Sequence, residues 1–286
     1  MYCKTKESER LDNMKIKRSP RLVDMTQYLL SHPHRLVSLT FFVSRYESAK
    51  SSISEDLTIL KEQFELSGFG RIETVAGAAG GVIYIPTMSE EEAVVEVENL
   101  IHQLESADDR ILPGGYFYLT DLLSDPEQLR KIGKIIASYY SESKATAIMT
   151  IATKGVPIAQ MVALYMNIPF VIVRRDSKVT EGSTVSINYA TKGTSRVEKM
   201  ELTKSSLPQG SHVLIIDDFL NGGGTITGMN SMLKEFNSTC AGISVLCESD
   251  TPDREIDFEY QSLIKVQKDA AYPKGFQLTL GTMFQK

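Results

Sequence analysis

The segment from Val213 to Thr225, VLIIDDFLNGGGT, constrains this chain more than any other part of it. Four apolar residues predict a strand buried on both faces, and it delivers two adjacent carboxylates, Asp217 and Asp218, to its carboxyl end. Phe219, Leu220, Asn221, Gly222, Gly223 and Gly224 form a glycine-rich loop, and Thr225 stands at the start of a helix. Such a loop lets backbone amides approach a phosphate, and a helix N-terminus favours the anion. The spacing has no Gly-Lys-Ser/Thr and does not fit GxGxxG, so neither a Walker loop nor a dinucleotide fingerprint is present. Paired acids ahead of an amide cradle suit a sugar phosphate: carboxylates accept ribose hydroxyls while the loop holds the 5′-phosphate.

The surroundings fit an α/β fold. Beyond residue 110 short apolar runs alternate with helical patterns: strands are expected at 116–119, 147–151, 170–173, 213–216 and 242–247, with helices at 126–140, 156–166 and 223–236. That alternation predicts a mostly parallel sheet with helices on both faces and a ligand at the carboxyl ends of the strands. Thr153, Lys154 and Gly155 follow one of those strands and make a second candidate loop. Tyr116 is either an aromatic cap over a bound base or a core tyrosine. His32, His34, His102 and His212 have no Ser, Cys or carboxylate partner at readable spacing, and residues 250–286 have weak pattern.

The chain holds 36 Asp and Glu against 31 Lys and Arg, a net of −5, which taken whole argues against a nucleic-acid binder. The sum hides opposed halves. Residues 1–87 carry 12 bases and 10 acids, a net of +2, and the remainder carries 19 and 26, a net of −7. Lys15, Lys17, Arg18 and Arg21 cluster at the start of three short apolar-faced helices, near 20–32, 38–46 and 51–66, where they can neutralise phosphates. Two strand signals, 71–75 and 82–85, flank a small-residue tip. Three helices and a hairpin make a winged helix-turn-helix, whose third helix would meet DNA through Lys50, Ser51, Ser52 and Ser54. The competing reading is a helical interaction module whose serines cap a helix. Residues 89–107 predict an acidic helix with a capping box from Ser89 and Glu92.

These signals divide the chain into an extension at 1–13, with Met14 a candidate native start, a winged helix at 14–87, a connecting helix at 88–110 and an α/β domain at 111–286. The three cysteines form no CxxC pair, and no apolar run is long enough for a bilayer span, so a reduced cytoplasmic setting without a membrane partner is expected.

The Val213–Thr225 segment resembles the phosphoribosyl pyrophosphate motif of type I phosphoribosyltransferases, and Ala152-Thr153-Lys154-Gly155 resembles their pyrophosphate loop. Residues 179–204 occupy the place of that family's flexible loop. With RLVDMTQYLL, LTFFVSRYESAKSSISEDLTI, ILPGGYFYLTDLL and VIVRRDSKVTEGSTVSINY, the chain resembles the purine operon repressors of Gram-positive bacteria from about Lys15 to at least Ser249. That resemblance implies a homodimer that binds operator DNA at purine genes and is released by phosphoribosyl pyrophosphate, with Mg2+ arriving on the ligand and no other cofactor required. It implies no catalysis. Gly222 stands where the enzymes usually carry Thr or Ser, and Asn221 where Thr is common. An active purine phosphoribosyltransferase and a transcriptional activator remain the alternatives, and a guanine nucleotide alarmone could share the pocket on charge grounds.

Overall fold

The computed structural model describes residues 16–77, 80–107, 110–112, 116–176, 182–190, 197–251 and 256–285. The chain divides into two compact domains, Met1–Thr87 and Met88–Lys286. Lys15, the 1–13 extension and Met14 lie outside the described residues.

The first domain runs α1 (Arg18–Leu30), β1 (Val37–Ser38), α2 (Leu39–Tyr46), α3 (Lys50–Leu66), β2 (Arg71–Val75) and β3 (Gly81–Ile85). Helical spacing along α1 and α3 turns Met25, Leu29, Ile53, Leu57, Leu60 and Phe64 onto Phe42, Tyr46, Ile72 and Tyr84. Ser38 starts α2, its hydroxyl accepting from the amide of Phe41 at 3.1 Å, and Glu47 ends it in the left-handed conformation. The sheet has strand order β1-β3-β2, all antiparallel. This is the winged helix-turn-helix. β1 adds a third strand to the expected hairpin, and on α1 Met25 and Leu29 are buried while Val23 is exposed. Pro20 sits within the first turn, because the helix begins at Arg18.

In the second domain α4 (Glu90–Ser106) begins with the expected capping box: Glu92 N donates to Ser89 Oγ at 3.2 Å and Ser89 N to Glu92 Oε2 at 2.9 Å. Its face of Ala93, Val97, Leu100, Ile101 and Leu104 is buried in this domain's core, so the helix read as a connector is an integral layer of the domain.

The chain continues through β4 (Ile111–Leu112), β5 (Tyr116–Phe117), α5 (Thr120–Ser124), α6 (Pro126–Tyr139), β6 (Ala147–Ile151), α7 (Gly155–Met166) and β7 (Phe170–Val173). Next come β8 (Thr184–Ala190), β9 (Val197–Thr203), β10 (His212–Leu220), α8 (Gly224–Glu235), β11 (Thr239–Ser249), β12 (Gln261–Lys268) and β13 (Phe276–Leu280). The expected strand at 116–119 is shorter than predicted, because Leu119 already leads into α5.

The main sheet has order β13-β12-β11-β10-β6-β7, parallel except for the antiparallel β13 edge. Alternate residues of β10 face opposite cores: Leu214 and Ile216 join one, Val213 and Ile215 the other. The weakly patterned C-terminus supplies β12 and β13. The segment expected as a flexible loop forms in its described part an antiparallel ribbon, β8 against β9, because Tyr189, Met200 and Leu202 bury in the second core. After β6 the chain steps outward to β7, whereas after β10 it steps the other way to β11. Between β6 and β10 the strand order therefore reverses, and there the two following loops part and leave a crevice at the carboxyl edge.

Candidate functional site

The crevice is a cavity of about 630 Å³. Its wall includes Thr153 and Lys154 from the loop after β6, and Asp217, Asp218, Phe219, Asn221 and Thr225 from the loop after β10. Tyr116 is exposed at its rim and does not belong to the core. Leu220 is buried in the second core and anchors the loop without lining the cavity. Gly223 is the left-handed N-cap of α8, with φ of 84°. A Cβ there would lie 2.6 Å from Ile256 Cγ2, so glycine is required twice over. Gly155 opens α7 beneath the other loop, and a Cβ on it would run into Thr150 Oγ1 and come within 3.2 Å of Asp217 Oδ1.

Asp217 is buried, and its Oδ1 accepts from the amide of Asp218 at 2.9 Å. Burial, and then the neighbouring Asp218 charge, hold the Asp217 carboxyl well above the usual carboxylate range. Burial also raises Asp218, with Lys154 among the groups that oppose it. Two cationic residues that sequence reasoning missed line the same cavity, Arg175 and Lys268. Arg175 follows β7 one residue on, after Arg174, and two basic residues at the carboxyl end of the strand beside β6 were a readable signal. Lys268 ends β12, its ammonium lies 5.4 Å from the centroid of Phe219, and burial lowers its pKa. No spacing rule points to it. Among the described residues, no group of three His, Cys, Asp or Glu side chains is gathered to hold a metal ion, and no helix is long and apolar enough to cross a membrane.

In the first domain Lys17, Arg18, Lys50, Ser51 and Ser54 are exposed and Ser52 is half-buried. The serines are not caps: α3 starts after Ala49, and Ser54 Oγ donates back to Lys50 O at 3.0 Å. Arg21 departs from the expected phosphate contact. It is 8% exposed, its Nε donating to Asp56 Oδ2 at 2.5 Å and its Nη1 to Ser48 Oγ at 3.0 Å. The guanidinium is committed inside the domain, because Asp56 is fully buried and requires a cation. Arg18 also donates to Asp56, at 3.0 Å, from a half-exposed position.

A winged helix-turn-helix joined to an α/β domain with a cleft at its strand-order reversal defines a regulator class built on a phosphoribosyltransferase scaffold. The family described as "Bacterial purine repressor, N-terminal" matches residues 17–86, and "Phosphoribosyl transferase domain" matches residues 119–278. The chain is 53% identical over 272 residues to the purine biosynthesis transcriptional repressor PurR of Bacillus subtilis, covering 95% of each chain. It is 46% identical to the purine biosynthesis transcriptional activator PurR of Lactococcus lactis subsp. lactis, covering 94% of this chain and 99% of that one. The chain belongs to this family of bacterial purine biosynthesis transcription regulators. The solved structure of adenine phosphoribosyltransferase from Thermoanaerobacter pseudethanolicus shares the fold, with a TM-score of 0.51 at 22% identity over 60% of this chain and 99% of that one.

Proposed function

We propose that the protein is a homodimeric repressor of purine synthesis and salvage genes, holding operator DNA through its winged helix and releasing it when phosphoribosyl pyrophosphate binds the second domain. The observation that carries this reading is the convergence of Asp217, Asp218, Asn221, Thr225, Lys154 and Arg175 on one cavity. The acids accept ribose hydroxyls, and the loop amides and the start of α8 hold the 5′-phosphate. Thr153, Lys154, Gly155 and Arg175 meet the diphosphate. Mg2+ arrives on the diphosphate oxygens, consistent with a cavity wall whose carboxylates are Asp217 and Asp218. The ligand shifts the DNA-bound population only through unequal affinity for the two states. A guanine nucleotide alarmone carries a 5′-diphosphate and competes for the same cations.

Gly222 supplies no hydroxyl to the 5′-phosphate, which supports a sensor without transferase turnover. A gel-shift titration of an upstream purine-gene fragment tests the reading: phosphoribosyl pyrophosphate with Mg2+ should release the DNA, and retention would reject it. Turnover with purine bases on the order of 1–1000 per second would restore the enzyme reading. Relatives bear both repressor and activator names, so a reporter gene reads the sign of regulation.

Two further outcomes are expected. Lys17→Ala should weaken operator binding and lower the slope of log affinity against log salt by about 0.9, the share of one phosphate contact. Release should also depend on pH. Ribose hydroxyls need ionised acceptors, and burial raises both aspartates. Effector affinity, measured by calorimetry, should therefore fall as pH drops, beginning above the range where ordinary carboxylates titrate.

A further inference from the structure

Arg175 lines the cavity, yet its Nε faces Glu198 Oε2 on β9 at 3.4 Å. Tyr189 of β8 donates its hydroxyl to the same oxygen at 2.5 Å. Burial, and then that bond, push the Tyr189 hydroxyl up to about 12, so it remains a donor at neutral pH. The ring of Tyr189 is buried against α8: a Cβ on Gly228 would lie 3.0 Å from its Cγ and 2.8 Å from Met200 Sδ. The ribbon thus rests on the helix whose first turn cradles phosphate, and its edge reaches the cavity's arginine through Glu198.

The arginine stands between two acidic side chains, Asp217 and Glu198. Arg175 is near enough to Asp217 to pull that carboxyl's pKa down against its burial. On its other side it meets Glu198 in a pair whose side chains are 56% and 28% exposed. A pair so open to water is weakly held, and a multiply charged group entering the cavity competes for the same guanidinium.

We propose that Glu198 is an internal competitor for the diphosphate of the ligand: without ligand it holds Arg175, and the diphosphate takes Arg175 from it, loosening the Tyr189–Glu198 edge of the ribbon. This rests on the effector reading above for the class of ligand. Glu198 acts as a positioning residue, setting where the guanidinium stands and what a diphosphate must displace.

The test is calorimetric titration of the full chain with inorganic pyrophosphate and Mg2+, in the wild type, Glu198→Gln, Arg175→Gln and the double variant. Glutamine keeps an acceptor for Tyr189 and removes the competing charge. Glu198→Gln should bind pyrophosphate about two- to fivefold tighter, the worth of an exposed ion pair. Arg175→Gln should bind it more weakly, and in that background Glu198→Gln should add nothing. In the wild type, pyrophosphate should speed amide exchange in β8 and β9, whereas Glu198→Gln should exchange faster before ligand is added. Unchanged or weaker binding by Glu198→Gln, a gain that persists without Arg175, or wild-type protein that binds no pyrophosphate would each overturn the proposal. The expected pattern with no DNA release by phosphoribosyl pyrophosphate would sink the effector reading and leave the competitor standing. Normal DNA release with no effect of Glu198→Gln would do the reverse.

Discussion

Replacing Asp217 and Asp218 together by asparagine should leave operator affinity unchanged and raise the phosphoribosyl pyrophosphate needed for release by about 30-fold. Each carboxylate that accepts a ribose hydroxyl becomes a neutral amide, and a hydrogen bond to a charged group exceeds its neutral counterpart by about 1 kcal/mol. The same variant should be more stable at neutral pH. Burial raises both acids, so the folded state binds more protons than the unfolded one between the ordinary carboxylate value of 3.8 and the raised values. The wild type is therefore most stable below that window and loses stability as pH rises through it. The two substituted amides carry no such cost, and the amide oxygen at position 217 can still accept the backbone bond that the Asp217 carboxylate takes from residue 218. Thermal unfolding of the second domain should shift upward at pH 7 and converge with the wild type in acid. Release at wild-type effector concentrations would remove both acids from the binding site; an unchanged melting temperature would mean their burial is fully compensated.

The β10 segment is legible because its pattern is local. Four apolar residues followed by two acids read as a strand end whatever the surroundings, and the Ser89–Glu92 box was as clear. Features that depend on distant chain were not legible. Nothing local distinguishes Arg21 from Lys17, because its burial is imposed by Asp56, 35 positions away on α3. The ribbon was hidden by its polar composition; Tyr189, Met200 and Leu202 are inward residues only once α8 lies beneath them. β12 lacks alternation because it is buried on both faces within the sheet, whereas β13 alternates buried Phe276 and Leu278 with exposed Gln277 and Thr279 but over only five residues. Lys268 became a cavity residue through that late pairing.

Arg21 and Asp56 carry the other large effect. Asp56→Asn should destabilise the first domain by about 3–5 kcal/mol, because the Arg21 guanidinium stays buried without its counter-charge. At roughly 4–8 °C per kcal/mol for a domain of this size, the melting temperature should fall by at least about 12 °C. Operator binding should be lost at temperatures where the wild type binds. Arg21→Ala should cost less, because Arg18 still meets Asp56 at 3.0 Å. The decisive comparison is between Arg21→Ala and Lys17→Ala, both assayed below their melting temperatures. A buried guanidinium releases no counterions when DNA arrives, so Arg21→Ala should retain the wild-type salt slope while Lys17→Ala loses about 0.9. A matching loss of slope in Arg21→Ala would mean that the arginine leaves Asp56 on the operator, and that the buried pair is a feature of the DNA-free domain alone.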